Sequence, residues 1–475
     1  MQKKRGAALP LPFRLSRSNC LQLHRKALLA GALCIALAGV TPAVPATAQD
    51  TPVTGARITQ LPSTAATLDM QRAVSTAVAW HPSVRNAEGY LLEAADYVDV
   101  ARAGYFPQVR AGLSSEHGNR NVPGYDSRQA NRAVVSVSQV LYDFGKVGSS
   151  VERARAVEAA AQARVLLAVD DVAREAAQAW IEVQRYEALQ AIAGEQKAGI
   201  TAIADLVRER RSKGASPRSD EVQAQAREQT ARAFELEAGA QLERWRMQLR
   251  QLTGLDALPA TGGEIPPAIA QACFVAQGNA LAPPSVLVAQ AEARAAQADL
   301  ANARAQTRPT LSLDGSIGRG LDADSRLGQS HDSTVMLNVS APLYQGGGNQ
   351  ARRRAAGHAL GATEAALENA RLANRQLLQD ARTQAAGNAQ RAGVLDDRVE
   401  SLAQTRTLYR QQYLDLGTRS LLDLLNAEQE FQQARLERAN NHHDLARLQV
   451  DCLYGSGRLR EAFALDAGNR GDLQQ

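Results

Sequence analysis

The 475-residue chain predicts a mainly α-helical protein that also carries four short strands per chain and an internal duplication. Three observations predict this. The composition is rich in Ala, with 45% hydrophobic but only 4% aromatic residues, which suits long helices better than a bulky globular core. Sequence landmarks recur at an offset of 202 residues. Short alternating segments sit between very long helical runs.

The N-terminus reads as an address label. Lys3, Lys4, Arg5, Arg14, Arg17, Arg25 and Lys26 precede an apolar run from Ala27 to Val40, and Ala46-Thr47-Ala48 follows. A basic region, a short apolar core and an A-x-A site describe a secretory signal peptide. The apolar run is shorter than the ~20 residues a spanning helix needs. Leu33 before Cys34 is too large for a lipoprotein site, so cleavage after Ala48 without a lipid anchor is expected. The chain then divides into a signal peptide (1–48), an N-terminal extension (49–80), a first repeat (81–257), a linker (258–282), a second repeat (283–457) and a tail (458–475).

Charge follows the same division. The whole chain has 54 Lys+Arg, 49 Asp+Glu and a formal charge of +5. The signal segment holds seven of the basic residues and no acid, leaving 47 basic against 49 acidic residues. No nucleic-acid partner is implied. Cleavage also leaves Cys273 and Cys452 as the remaining cysteines. An exported protein meets an oxidising compartment, so these two either pair or stay as buried thiols.

The duplication is read from landmarks. Pro82-Ser83-Val84 recurs as Pro284-Ser285-Val286, Pro107 as Pro309, Leu141-Tyr142 as Leu343-Tyr344 and Gly145 as Gly347, all at offset 202. Gly214 and Asp220 match Gly417 and Asp423 at offset 203, and Leu252-Thr253-Gly254 matches Leu453-Tyr454-Gly455 at offset 201. Such a period is too long for a solenoid unit. Each copy is therefore half of one domain.

Both halves share one order of elements. A helix (Val84 to Ala103; Val286 to Gln306) leads to a proline and two short strands. A very long helix follows (Gly148 to Arg211; Asn349 to Leu416), then a Gly turn and a return helix (Pro217 to Leu252; Ser420 to Leu453). The strands alternate with period two. Val109, Ala111 and Leu113 alternate with Arg110, Gly112 and Ser114, and Leu311, Leu313 and Ile317 with Ser312, Asp314 and Ser316. Val135 with Val137, and Val335, Leu337 with Val339, continue the pattern. About ten residues per strand suits a tilted membrane crossing. Tyr105, Phe106, Tyr142, Phe144 and Tyr344 gather where strands meet helices, as an interfacial aromatic girdle would. A soluble sheet with one wet face would show the same alternation.

The long helices carry small residues in their seam. Ala161, Val165, Ala168, Val172, Ala176, Ala179, Val183 and Tyr186 follow a heptad pattern with one inserted four-residue step, which relaxes supercoiling. About 64 residues at 1.5 Å each give roughly 96 Å. The first and return helices of each copy are candidates to stack end to end along it. Four strands cannot close a barrel, and open edges in lipid cost several kcal/mol per unpaired group. A spanning sheet therefore requires several chains, with two giving eight strands and three giving twelve.

The duplicated plan, the Leu-Tyr-(Asp/Gln)-x-Gly element before each long helix, and Gly417-Thr418-Arg419-Ser420-Leu421-Leu422-Asp423-Leu424-Leu425-Asn426-Ala427 resemble the TolC family of outer membrane efflux proteins. The resemblance covers essentially the whole mature chain. It implies a TolC-like homotrimer with a 12-stranded barrel in outer membrane lipid and a long periplasmic α-helical tunnel. It also implies a periplasmic adaptor (membrane fusion) protein, an inner membrane ABC transporter or other pump, no cofactor and no reaction.

The same resemblance implies a periplasmic gate. Arg419 stands at the family's tip arginine, with Asp220 and Ser219 at the positions of its partners, so an Arg419–Asp220 link within or between chains is expected. Asp423 stands where the family places a carboxylate ring. One turn later, where a second acid is familiar, this chain has Asn426, so the ring should be weaker. The tips, Gly214-Ala215-Ser216 and Gly417-Thr418-Arg419, are candidates for the adaptor contact, with Leu421 and Leu422 as apolar anchors. An ordinary solvated turn and helix N-cap would use the same residues.

Other signals point nowhere further. Gly346-Gly347-Gly348 lacks the ending of a phosphate loop, and adjacent His442 and His443 face different sides of a helix, so no metal is expected. The expected role is an outer membrane exit duct, first for type I secretion of a protein toxin in the manner of a cyclolysin-type exporter. Multidrug efflux is the second reading. A periplasmic coiled-coil adaptor or scaffold is a third, argued from helix length alone.

Overall fold

A computed structural model of the chain describes residues 67–117, 129–275, 282–321 and 331–465. The predicted signal peptide and its cleavage site lie outside them. The elements run in the order expected from the duplication, with additions. Helix α1 (Met70–Trp80) and α2 (Pro82–Arg102) lead through a 3-10 turn to β1 (Gln108–His117) and β2 (Gln129–Tyr142). Helices α3 (Lys146–Ser212) and α4 (Arg218–Thr253) form the first hairpin, and short α5 (Pro267–Ala270) lies in the linker. The second copy follows as α6 (Pro284–Ala305), β3 (Thr310–Gly320), β4 (His331–Ser340), α7 (Gly348–Gln411), α8 (Leu421–Gly455) and the short α9 (Leu459–Ala462).

Local chemistry explains the boundaries. Pro82 and Pro284 sit in the first turns of α2 and α6, where a missing N–H costs nothing. Asp69 caps α1 by accepting from the Arg72 N–H at 2.7 Å. That helix falls in the stretch the sequence treats as an extension. Its Met70, Ala73, Val74 and Ala77 are buried against the main core. The α-helical part of the second long helix ends at Gln411, and a π-helical turn, Gln412–Leu416, replaces its expected last turn. The wider turn buries Tyr413.

The four strands form one antiparallel sheet in the order β1-β2-β3-β4. The two copies join at β2 and β3, with Ser136 opposite Ser316 and Val135 opposite Ile317. Register assigns the faces. Arg110, Ser136, Ser316 and Thr334 lie side by side on one face, and Val109, Val137, Gly315 and Val335 on the other. The apolar face is solvent-exposed, with Leu113, Val335 and Val339 all more than half accessible.

Helix α3 spans roughly 100 Å at 1.5 Å per residue. As expected for end-to-end stacking, α2 and α4 both pack along α3, and α6 and α8 both pack along α7. Helix α3 also contacts α6 and α8, so it joins the two copies. Two apolar cores result. The larger gathers Val172, Ala176, Trp180 and Val183 of α3 with α1, the linker and the C-terminal half of α8. The indole N–H of Trp180 donates to the Leu68 carbonyl at 2.8 Å, satisfying the one polar atom of a buried ring. In the same core Cys273 and Cys452 are joined in a disulfide that ties the linker to α8. The smaller core lies near the hairpin tips and holds Ile200, Val207, Ala224, Tyr413, Leu421, Leu424 and Leu425.

Candidate functional site

The gate candidates occupy the turn between α7 and α8 and its neighbour between α3 and α4. Gly417, in the left-handed region at φ 64°, ends the π-helical turn, and Thr418 and Arg419 are exposed beyond it. Ser420 then caps α8. Its hydroxyl accepts from the Asp423 N–H at 3.2 Å, while the Asp423 carboxylate accepts from the Ser420 N–H at 3.3 Å. This reciprocal box holds the carboxylate near the helix N-terminus, where the macrodipole favours it. The structure thus gives Asp423 a capping task within the chain.

Arg419 turns back on its own hairpin. Its Nε donates to Gln412 Oε1 at 2.9 Å, and its guanidinium lies 4.3 Å from the centre of the Tyr409 ring. Asp220 lies in the first turn of α4 beside Ser219, whose hydroxyl is 3.5 Å away. Within one chain, the described residues show no Arg419–Asp220 ion pair. Asn426 is also engaged, accepting from Arg227 Nη2 of α4 at 3.4 Å, and Arg227 Nη1 donates to Gln429. Arg227 therefore ties the two hairpins together just behind the tips.

The tip residues divide by exposure. Gly214 and Ala215 are exposed and Ser216 half-buried. Leu422 is 46% accessible, as an outward anchor would need. Leu421 corrects the expectation: at 4% accessibility it is packed into the tip core, since its position one turn before Leu424 and Leu425 faces α3. Sequence reasoning missed Arg227 and Tyr413. Arg227 and Gln429 lie on the return helices of different copies, and nothing in residue type or spacing signalled that they meet. Tyr413, with Arg210 stacked 5.0 Å over its ring, gave no signal, because its burial depends on the π-helical turn.

At the other end, Tyr105, Phe106, Tyr142, Phe144 and Tyr344 are all exposed, from 39% to 87%. Tyr142 and Phe144 meet edge to face with ring centres 4.6 Å apart. They stand where the strands leave the helices. No helix among the described residues is long and apolar enough to cross a membrane.

The outer membrane efflux protein family matches residues 73–255 and 279–451, one span for each copy. The chain belongs to that family. It is an outer membrane efflux channel protein that spans the outer membrane and extends into the periplasm. Among its relatives is the outer membrane efflux protein BepC of Brucella suis, 23% identical over 369 residues, which are 76% of this chain and 79% of that one. Protein CyaE of Bordetella pertussis is 28% identical over 321 residues, 64% of this chain and 66% of that one. A membrane protein from Pseudomonas aeruginosa shares the fold with a TM-score of 0.73 at 21% identity, covering 82% of this chain and 90% of its own. The CmeC outer membrane channel of Campylobacter jejuni does so at 0.72 and 16%, covering 82% and 85%. The TolC-like resemblance and the duplicated fold are thereby shown for this efflux protein.

Proposed function

We propose that three copies of this chain close a 12-stranded barrel and form the exit duct of a tripartite export system. The observation that carries this is the pair of open edges. Within the sheet β1 and β4 each pair on one side only, and unpaired strand edges in lipid are too costly to persist. Helix α7 supports the same assembly: of its 64 residues only Ala381, Ala385 and Leu395 are buried within the chain, so a long face is left for neighbouring copies. The exposed aromatics form the girdle at the periplasmic surface of the outer membrane lipid.

At the far end, the tips formed by Gly214, Ala215, Gly417, Thr418 and Leu422 meet a periplasmic adaptor, which links the duct to an inner membrane ABC transporter or other pump. The Arg419–Asp220 link forms between protomers, and three copies of Asp423 line the closed tip. For cargo we favour a protein toxin secreted by a type I system, because Leu33 before Cys34 departs from lipoprotein processing. Multidrug efflux is the second reading, favoured by the likeness to a protein named for efflux.

Purified protein in planar bilayers tests the duct. Trimers that form long-lived pores are expected. A monomer that stays soluble without detergent and forms no pores would overturn the proposal. An adjacent transporter ATPase, adaptor and toxin in the genome would favour secretion, and an adjacent drug pump would favour efflux.

A further inference from the structure

One charge pair sits on the polar face of the sheet, away from every site described above. The Arg132 guanidinium of β2 pairs with the Asp332 carboxylate of β4, although β3 runs between them. The pair crosses β3 at Gly318. A Cβ there would lie 2.4 Å from Arg132 Nη2 and 2.6 Å from Asp332 Oδ1, so only a residue without a side chain leaves the bridge its path. Register places Arg132 opposite Gly320 and Asp332 opposite Gly318, at the end of the strands remote from the long helices. The other charged residues that register places on this face among the described residues are Arg110 and Glu116 of β1, the latter opposite Ala130 near the same end as Arg132, and Asp314 of β3. The Asp314 carboxylate is held by the hydroxyls of Ser138 at 2.5 Å and Ser312 at 2.8 Å, deeper in the sheet.

The opposite face is apolar, so in the three-copy barrel proposed above, on which this inference rests, the polar face lines the lumen. We infer that Arg132 and Asp332, bridged across Gly318, are specificity-determining residues of the outer mouth of the duct: each cancels a charge ring that the other would create. Three unpaired carboxylates around a lumen attract multivalent cations, and three unpaired guanidinia attract multivalent anions. Low-dielectric barrel walls focus either field. Paired, Arg132 and Asp332 add no net ring of charge to the mouth. The pair is half-exposed in each chain, so its role here is electrostatic and does not depend on stabilising the fold.

The test is side-specific block of single pores, which separates the mouth from the distant tips. Arg132→Gln should make pores sensitive to hexamminecobalt(III) added at the barrel side, at a concentration at least about tenfold below that affecting the parent. Asp332→Asn should confer the same gain for inorganic triphosphate. The Arg132→Gln/Asp332→Asn double variant should return to parental behaviour, and Arg132→Lys should retain it. Cation and anion sensitivity unchanged in both single variants, or not cancelled in the double, would overturn the inference while leaving the duct intact. A parent that forms no pores would overturn the duct itself.

Discussion

Arg227 of α4 reaches Asn426 and Gln429 of α8, so a single guanidinium joins the two helical hairpins just behind their tips. The bond to Gln429 is exposed and that to Asn426 half-buried, and such surface links are worth only about 0–1 kcal/mol each. In a trimer whose tips open together, three copies would sum to at most about 3 kcal/mol, roughly a hundredfold in open population. Arg227→Ala should therefore raise single-channel conductance or the frequency of open events. Arg419→Ala should do the same through the proposed link between protomers. Bilayer recordings indistinguishable from the parent in both would remove the polar-link account of the gate.

Gly254 and Gly417 separate backbone strain from space. Both end helices in the left-handed region, at φ 67° and 64°. A Cβ at Gly254 would lie 2.2 Å from the Trp80 ring, whereas at Gly417 it would meet open space. Gly417→Ala should cost about 1 kcal/mol from strain alone. Gly254→Ala must also displace Trp80 and should cost at least about 2 kcal/mol. Thermal melting of both variants checks the ordering, which should not reverse.

The Cys273–Cys452 bridge spans 179 residues of sequence and lies within the larger core. Constraining so long a loop in the unfolded chain is worth about 2–4 kcal/mol. Replacing both cysteines by Ser, or melting under reducing conditions, should lower the transition temperature. A reductant should then have no further effect on the double variant. Equal melting of parent and variant would place the stability of the linker in packing alone.

His443 supplies an acid-sensitive element outside the membrane segments. Burial is the first cause, and the adjacent His442 and nearby Arg185 add to it, lowering its pKa to about 4 while Asp444 opposes them. The unfolded chain takes up this proton near pH 6.5 and the folded one near 4, so between these values the unfolded state binds more protons. Stability from this group is fully present above about pH 6.5 and is lost as pH falls toward 4, by no more than about 3 kcal/mol. His443→Gln should flatten that part of the stability profile. A slope unchanged in the variant would assign it to the carboxylates instead.

Much of this architecture was legible because it is periodic. Alternation in Leu311, Leu313 and Ile317 marked strands, small residues at heptad spacing marked the α3 seam, and the offset of 202 marked the duplication. Helix α1 was missed although Asp69 and the apolar Met70, Ala73, Val74 and Ala77 carry a legible cap and period. At the tip, residue type located the turn but not the partners. Arg419 meets Gln412, seven residues back, across a π-helical turn and the left-handed Gly417.

By itself the sequence determined the order of elements and the duplication, since both follow from local patterning. Only the tertiary structure decided which face each tip residue presents. Leu421 sits in the core while Leu422 beside it is exposed, and Asn426 accepts from Arg227 of the other hairpin. Adjacent helical positions differ by about 100°, so a small rotation of α8 against α3 and α4 reassigns every side chain at the tip. The spacing of Leu421, Leu424 and Leu425 marks the buried stripe of α8, but packing of the two hairpins selects the partners of the remaining tip residues.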